Sequence, residues 1–329
     1  MIRRINKKIN FSLTKKLKTS KNGGFPHIKQ AIFFNLFVRV KKKRLEFILE
    51  TIFTLVVLLF GSGLVAGILA GMLGVGGGII LVPVIYYILP LMGQNGDYIM
   101  HMAVGTSLAT IIPTSIVSTL SHNRKGAVDW LTFRKIALYV VFGVLLGTFS
   151  ADMVKGHVLT MIFAFIALLV ALRLLWVKKE QKALIAEEDD IPQTSRSKTS
   201  RVEKVSGMMI GFFSALMGIG GGSFSVPILT GRGFSIHRAV GTSSAIGFLI
   251  AVPGTLGFMV AGRDVPVLPQ YSLGYVNLLV FTLIVPATMI ASPWGVRIAH
   301  KMSPVILRRS FGLILLIISI RMMINSFPA

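Results

Sequence analysis

Residues 51–96 contain no Asp, Glu, Lys, Arg or His. A bilayer core is crossed by about 20 apolar residues of helix, so this single run of 46 residues exceeds one crossing. Further charge-free runs occupy 205–231, 239–262 and 265–296, with shorter ones at 136–151 and 158–172. A soluble core cannot use so much unbroken apolar sequence, because its helices must present a polar face to water. Only 14% of the 329 residues are charged, against about a quarter in ordinary soluble domains, which excludes the soluble class. No run alternates apolar and polar positions over the about ten residues of a barrel strand. Gly and Pro sit inside the apolar runs, as is common in membrane helices. The expected fold is therefore an all-α integral membrane protein. The chain has no Cys, which excludes disulfides, thiolate metal ligands, iron–sulfur clusters and thiol catalysis.

The apolar runs divide into ten segments, near 47–73, 79–92, 101–121, 132–153, 157–177, then 205–217, 223–231, 238–261, 272–296 and 304–325. The ends of this array are basic or polar. Residues 1–46 carry 14 Lys and Arg, from Arg3 to Arg44, before the first acid at Glu46. A nucleic-acid arm is one reading of such a segment. A cytoplasmic tail drawn to anionic headgroups fits its position before a membrane span better, so the lipid surface is the expected partner and nucleic acid is not. Residues 178–204 have the composition of a solvated, mobile connector and are expected on the cytoplasmic side. Residues 47–177 and 205–329 are the two membrane domains.

Those domains are copies. Gly74-Val75-Gly76-Gly77-Gly78 followed by Val82-Pro83 returns as Gly218-Ile219-Gly220-Gly221-Gly222 followed by Val226-Pro227, 144 residues on. His101-Met102-Ala103-Val104-Gly105-Thr106-Ser107 returns as His237-Arg238-Ala239-Val240-Gly241-Thr242-Ser243, 136 residues on. Duplication is a common build for transporters, with substrate bound between the repeats. Loop charges alternate in opposite phase in the two copies: Arg124, Lys125, Arg134 and Lys135 lie between segments three and four, whereas the second copy carries Arg232 and Arg238 between segments two and three. Basic loops mark the cytoplasmic side, so the repeats are expected to be inverted, about five segments each. A tail and a linker both in the cytoplasm ask for an even number of crossings in the first copy. A glycine-broken pair that dips and returns is one way to reach it.

Three adjacent glycines cost a helix about 1 kcal/mol each relative to Ala, and a broken backbone in lipid is tolerable only beside protein or a water-filled cavity. The following half-helix then offers unpaired N–H groups and the positive end of its dipole, an anion site. Close helix packing through small residues is the competing explanation. Gly76, Gly77, Gly78, Gly220, Gly221 and Gly222 are thus candidate substrate-binding residues. Thr106, Ser107, Thr242 and Ser243 join them, since hydroxyls donate to oxyanions without fixed charge; interhelical hydrogen bonding is the alternative. A polar stripe of Thr110, Thr114, Ser115, Ser118 and Ser244 continues them. His101 and His237 precede these motifs at equivalent positions, either as a proton relay or as interfacial polar residues. There is no His-Glu-x-x-His, no phosphate loop and no dinucleotide-binding context around the glycines, so no enzyme activity, cofactor or metal is expected.

The doubled pattern, a glycine triplet, Val-Pro and then His-x-Ala-Val-Gly-Thr-Ser, resembles the TauE/SafE family of sulfite exporters, also called the 4-toluene sulfonate uptake permease family, over about 47–325. The resemblance implies a proton-coupled secondary transporter of sulfite, sulfoacetate or other small organosulfur anions in the cell membrane. It also implies that the glycine and Gly-Thr-Ser residues named above line the path. The long basic tail departs from what such carriers need, and ten segments exceed the span count usual for members. A passive anion channel and a non-transporting membrane scaffold are the readings from other classes.

Overall fold

A computed structural model describes residues 26–73, 76–94, 96–176, 200–265, 268–269, 271–299 and 304–326. Residues 1–25 of the tail, Gly74 and Val75 of the first glycine motif, and 177–199 of the linker lie outside the described residues. The chain divides into two compact units, residues 1–54 and 55–329. The first contributes the N-terminal part of helix α1, on which Lys41, Lys42, Glu46 and Glu50 are exposed. The helix covers Pro26–Leu73, so residues 26–46 of the basic stretch are helical too.

Among the described residues of the second unit, α1 is followed by α2 (Gly78–Ile88) with a 3₁₀ turn (Leu89–Met92), α3 (Ile99–Asn123), α4 (Trp130–Asp152), α5 (Gly156–Trp176), α6 (Arg201–Met217), α7 (Gly222–Gly231), α8 (Ile236–Ala261), α9 (Leu278–Ala299) and α10 (Pro304–Ser326). All ten apolar segments are helices. Among the described residues, six stretches are long and apolar enough to cross a bilayer: Phe53–Met72, Ile99–Asn123, Trp130–Asp152, Gly156–Trp176, Ile236–Ala261 and Leu278–Ile298. The ninth segment starts differently from expectation. Ser272–Leu273 and Val276–Asn277 pair as a two-stranded antiparallel hairpin before α9 begins. Gly274 turns it with φ 54°, and its Cα lies so close to the Met259 backbone that a Cβ would collide there.

The outward faces of the helices are apolar, and polar and small residues are buried among the apolar ones inside. On α4, Leu138, Phe142, Leu145 and Phe149 are exposed, while Thr132, Gly143, Gly147 and Thr148 are buried. Water would penalise that arrangement and lipid does not. Small residues then set the helix contacts. A Cβ on Gly143, Gly147 or Gly211 would collide with the carbonyl of Met208, Phe212 or Val140 respectively, so α4 and α6 run parallel at backbone distance. In the same way Gly67 meets Thr288, Gly71 meets Ser292 and Gly295 meets Ile68, and α1 and α9 are parallel. Gly67 and Gly211 are equivalent in the repeat, so the two contacts are copies of each other.

The third helices of the two halves cross in the opposite sense. Gly105 abuts Phe258, Leu108 abuts Gly254 and Ser118 shares a hydrogen bond of 3.0 Å with Ser244, so α3 and α8 are antiparallel. His122 Nε2 lies 3.1 Å from the Gly71 carbonyl, which brings the ends of α1 and α3 together. His101 Nε2 lies 3.0 Å from the carbonyls of Ala151 and Val154, so α4 ends where α3 starts. One end of the array gathers Asp97, His101, Asp152 and Tyr275. The other gathers Lys135, Glu203 and Arg232.

A cluster at that second end fixes the start of α6. Ser200 accepts from the Glu203 N–H and Glu203 accepts from the Ser200 N–H, a reciprocal cap. Glu203 also accepts from Arg232 at 2.8 Å. Burial works against the Glu203 charge, yet the Ser200 amide and the Arg232 guanidinium hold its carboxyl below the usual range.

Candidate functional site

Both glycine motifs break the helix. α1 ends at Leu73 and α2 begins at Gly78; α6 ends at Met217 and α7 begins at Gly222. The turns need glycine because Gly76, Gly77 and Gly218 have φ of 71°, 76° and 63°, a left-handed region that side chains disfavour. Ile80 and Leu81 donate to the Gly77 carbonyl, and Phe224 and Ser225 to that of Gly221, so each half-helix starts directly at its break. Pro83 and Pro227 sit inside those half-helices.

The breaks meet at the α3–α8 crossing. A Cβ placed on Gly76 would lie 3.5 Å from the Cα of Gly220, its own counterpart in the repeat, and 2.8 Å from Ile111 Cγ2. One on Gly78 would collide with the Gly218 carbonyl. Two positions 144 residues apart thus touch across the middle of α3. The Ser107 hydroxyl donates to the Gly218 carbonyl at 2.8 Å, tying the first Gly-Thr-Ser motif to the second glycine break. Ser243 donates to the Val240 carbonyl at 3.2 Å.

Thr106 and Thr242 are placed behind this centre. Thr106 Oγ1 accepts from the Asn277 N–H at 2.9 Å, and Thr242 Oγ1 from the Asp129 N–H at 2.9 Å. Each N–H belongs to a helix cap: Asn277 Oδ1 accepts from Val280 N, and Asp129 Oδ1 from Thr132 N, both at 2.9 Å. Both threonines are fully buried. They anchor the starts of α9 and α4 against α3 and α8, while Ser107, beside Thr106, faces the second break.

The histidines are not equivalent in space. His101 is 3% exposed and stacks on Tyr275 with ring centroids 5.1 Å apart, whereas His237 is exposed at the start of α8. Burial, with Asp152 and Tyr98 nearby, pushes the Tyr275 phenol up to about 12, so it stays neutral at physiological pH.

Two further hydroxyls belong to the centre. Ser115 on α3 and Ser225 on α7 are 1% and 0% exposed, and among the described residues neither hydroxyl has a hydrogen-bond partner. Ser115 stands in the polar stripe read from sequence; Ser225 does not. Its signal was a departure from the repeat, since Ser225 occupies the position of Leu81 in the first copy. A cavity of about 500 Å³ lies apart from the crossing, between α6 and α7. Val205, Met209, Phe213, Phe224 and Ile228 give it an apolar wall with little to offer an anion.

The sequence that folds this way matches a known family. The model of the sulfite exporter TauE/SafE family covers residues 59–322. The chain belongs to that family. Its TauE/SafE relatives include a probable membrane transporter protein of Haemophilus influenzae, 33% identical over 274 residues, which covers 83% of this chain and all of the relative. Another, from Methanocaldococcus jannaschii, is 27% identical over 288 residues, covering 87% of this chain and all of the relative. The Bacillus subtilis probable membrane transporter protein YunE is 28% identical over 255 residues, covering 75% of this chain and 89% of its own. No solved structure matches. Within TauE/SafE the chain is a multi-pass membrane transporter.

Proposed function

We propose that the protein is a secondary transporter of small sulfur-containing anions, such as sulfite, sulfoacetate or another organosulfonate, in the cell membrane and driven by the proton gradient. One observation carries the anion preference: two backbone breaks touch where antiparallel α3 and α8 cross, each opening into a half-helix N-terminus. Such ends favour negative charge without a fixed cation, which suits a ligand that must be released. The sulfur chemistry is supported by the family description alone. The Gly76–Gly220 contact argues against an open channel and for an occluded carrier. His101, buried beside Tyr275 and the end of α4, is the better of the two histidines for a proton relay.

The antiparallel α3–α8 pair also favours inverted halves, because equivalent helices then cross the bilayer in opposite directions. On this reading Lys155 and Arg263 share one face with Asp97, Asp152 and Asp264. Arg124, Lys125, Lys135, Arg201, Lys204, Arg232 and Arg238 share the other. The basic face is the cytoplasmic one, and it takes the linker.

The test is reconstitution into liposomes under an imposed pH gradient, with sulfite, sulfoacetate, thiosulfate and acetate compared. Saturable accumulation of a sulfur anion, abolished by a protonophore, is the expected result. Flux no greater than in protein-free liposomes for all four overturns the reading.

A further inference from the structure

We infer that the two glycine breaks are not equivalent, and that the oxyanion is held at the start of α7 by Ser115 and Ser225, while the start of α2 is filled by protein. This rests on the transporter reading and adds which half-helix binds. The repeat makes the comparison residue by residue. In the first copy, Ile111 on α3 fills the space at the break: its Cγ2 would lie 2.8 Å from a Cβ on Gly76, and its Cδ1 2.8 Å from one on Gly78. The equivalent position on α8 is Gly247, with no side chain to fill the corresponding space.

Polar groups converge on that spot. A Cβ placed on Gly247 would lie 3.0 Å from Ser115 Oγ and 3.7 Å from the Gly221 backbone nitrogen. Ser225 Oγ lies 3.2 Å from the Cβ position of Gly221. Both hydroxyls are buried and unpartnered among the described residues, although a buried hydroxyl left without a partner carries a desolvation penalty. Their counterparts in the other copy are Ala251 and Leu81, which can donate nothing. One break is thus a plugged apolar copy, and the other presents two hydroxyls beside the N-terminus of a ten-residue helix. The donors are hydroxyls and main-chain N–H groups, with Ile246 and Ile250 closing the wall. Their chemistry suits a small oxyanion such as sulfite or a sulfonate group.

The experiment uses full-length protein with sulfite as probe, read in two ways: thermal stabilisation of the purified protein on titration, and KM for uptake into liposomes. Ser115→Ala and Ser225→Ala are each expected to raise the apparent Kd and the KM about tenfold, the scale of one hydrogen bond to a charged group. Gly247→Ala, which sets a methyl 3.0 Å from Ser115 Oγ, is expected to do the same. The mirror variant Ala251→Ser is expected to leave both unchanged. Melting without sulfite checks that each variant folds. If wild type binds and carries sulfite while both serine variants keep wild-type Kd and KM, the inference is overturned and the transporter reading stands. If wild type neither binds nor carries sulfite, the substrate reading fails and takes this site with it.

Discussion

The Asn277 backbone N–H donates to the Thr106 hydroxyl at 2.9 Å across 171 residues of chain, and the bond is repeated in the other copy between Asp129 and Thr242. Each bond seats the cap of one helix on a helix of the opposite half. Thr106→Val and Thr242→Val remove the acceptor and leave a buried N–H unpaired, which costs about 1–3 kcal/mol each. Thermal unfolding of the purified variants checks this. The two losses should add, since the sites share no partner.

Gly211 and Gly61 both lie in apolar helices but differ in surroundings. A Cβ on Gly211 would collide with the Val140 carbonyl, whereas one on Gly61 would meet nothing within 4 Å. Gly211→Ala should destabilise by about 1–3 kcal/mol through overpacking. Gly61→Ala should be neutral or stabilise by up to about 1 kcal/mol, the helix propensity difference. Unfolding midpoints of the two variants in the same lipid provide the comparison.

The caps and contacts show what a single sequence can carry. The ten helices and their glycine breaks were legible because charge-free runs and clustered glycines act locally. The 271–277 hairpin was not, since Val276 and Asn277 sit in an apolar run and only the approach of Gly274 to Met259 turns the chain there. Thr106 and Thr242 were readable as important polar residues, but their caps lie at positions that no local pattern connects. Ser225 and Gly247 required asking where the copies differ, whereas duplication was detected by asking where they agree.

Glu203 links the start of α6 to the end of α7 through Arg232. Its carboxyl is held below the usual range, so its stabilisation is present at neutral pH and fades as pH falls through that depressed value. Glu203→Gln, which can keep the cap but loses the ion pair with Arg232, should lower stability at pH 7 by up to about 1 kcal/mol. The gap to wild type should close in acid. A melting series across pH, on both proteins, checks the sign.

A chain without Cys accepts single cysteines as topology reporters. Arg124 and Arg263 are both exposed, follow the equivalent helices α3 and α8, and lie on opposite faces in the inverted arrangement. Arg124→Cys should react with a membrane-impermeant maleimide only from the cytoplasmic side, and Arg263→Cys only from outside. Labelling of both from one side would contradict inversion.

Gly221 offers the most direct access to the transport claim, because its φ of −54° tolerates a side chain and its nearest contacts are side-chain atoms of Ile246, Ile250 and Ser225. Saturable sulfite flux should therefore be measured side by side for wild type and Gly221→Leu in liposomes, with insertion and monodispersity matched. The account predicts flux in wild type and none above background in the variant. Equal flux in the two proteins would contradict it.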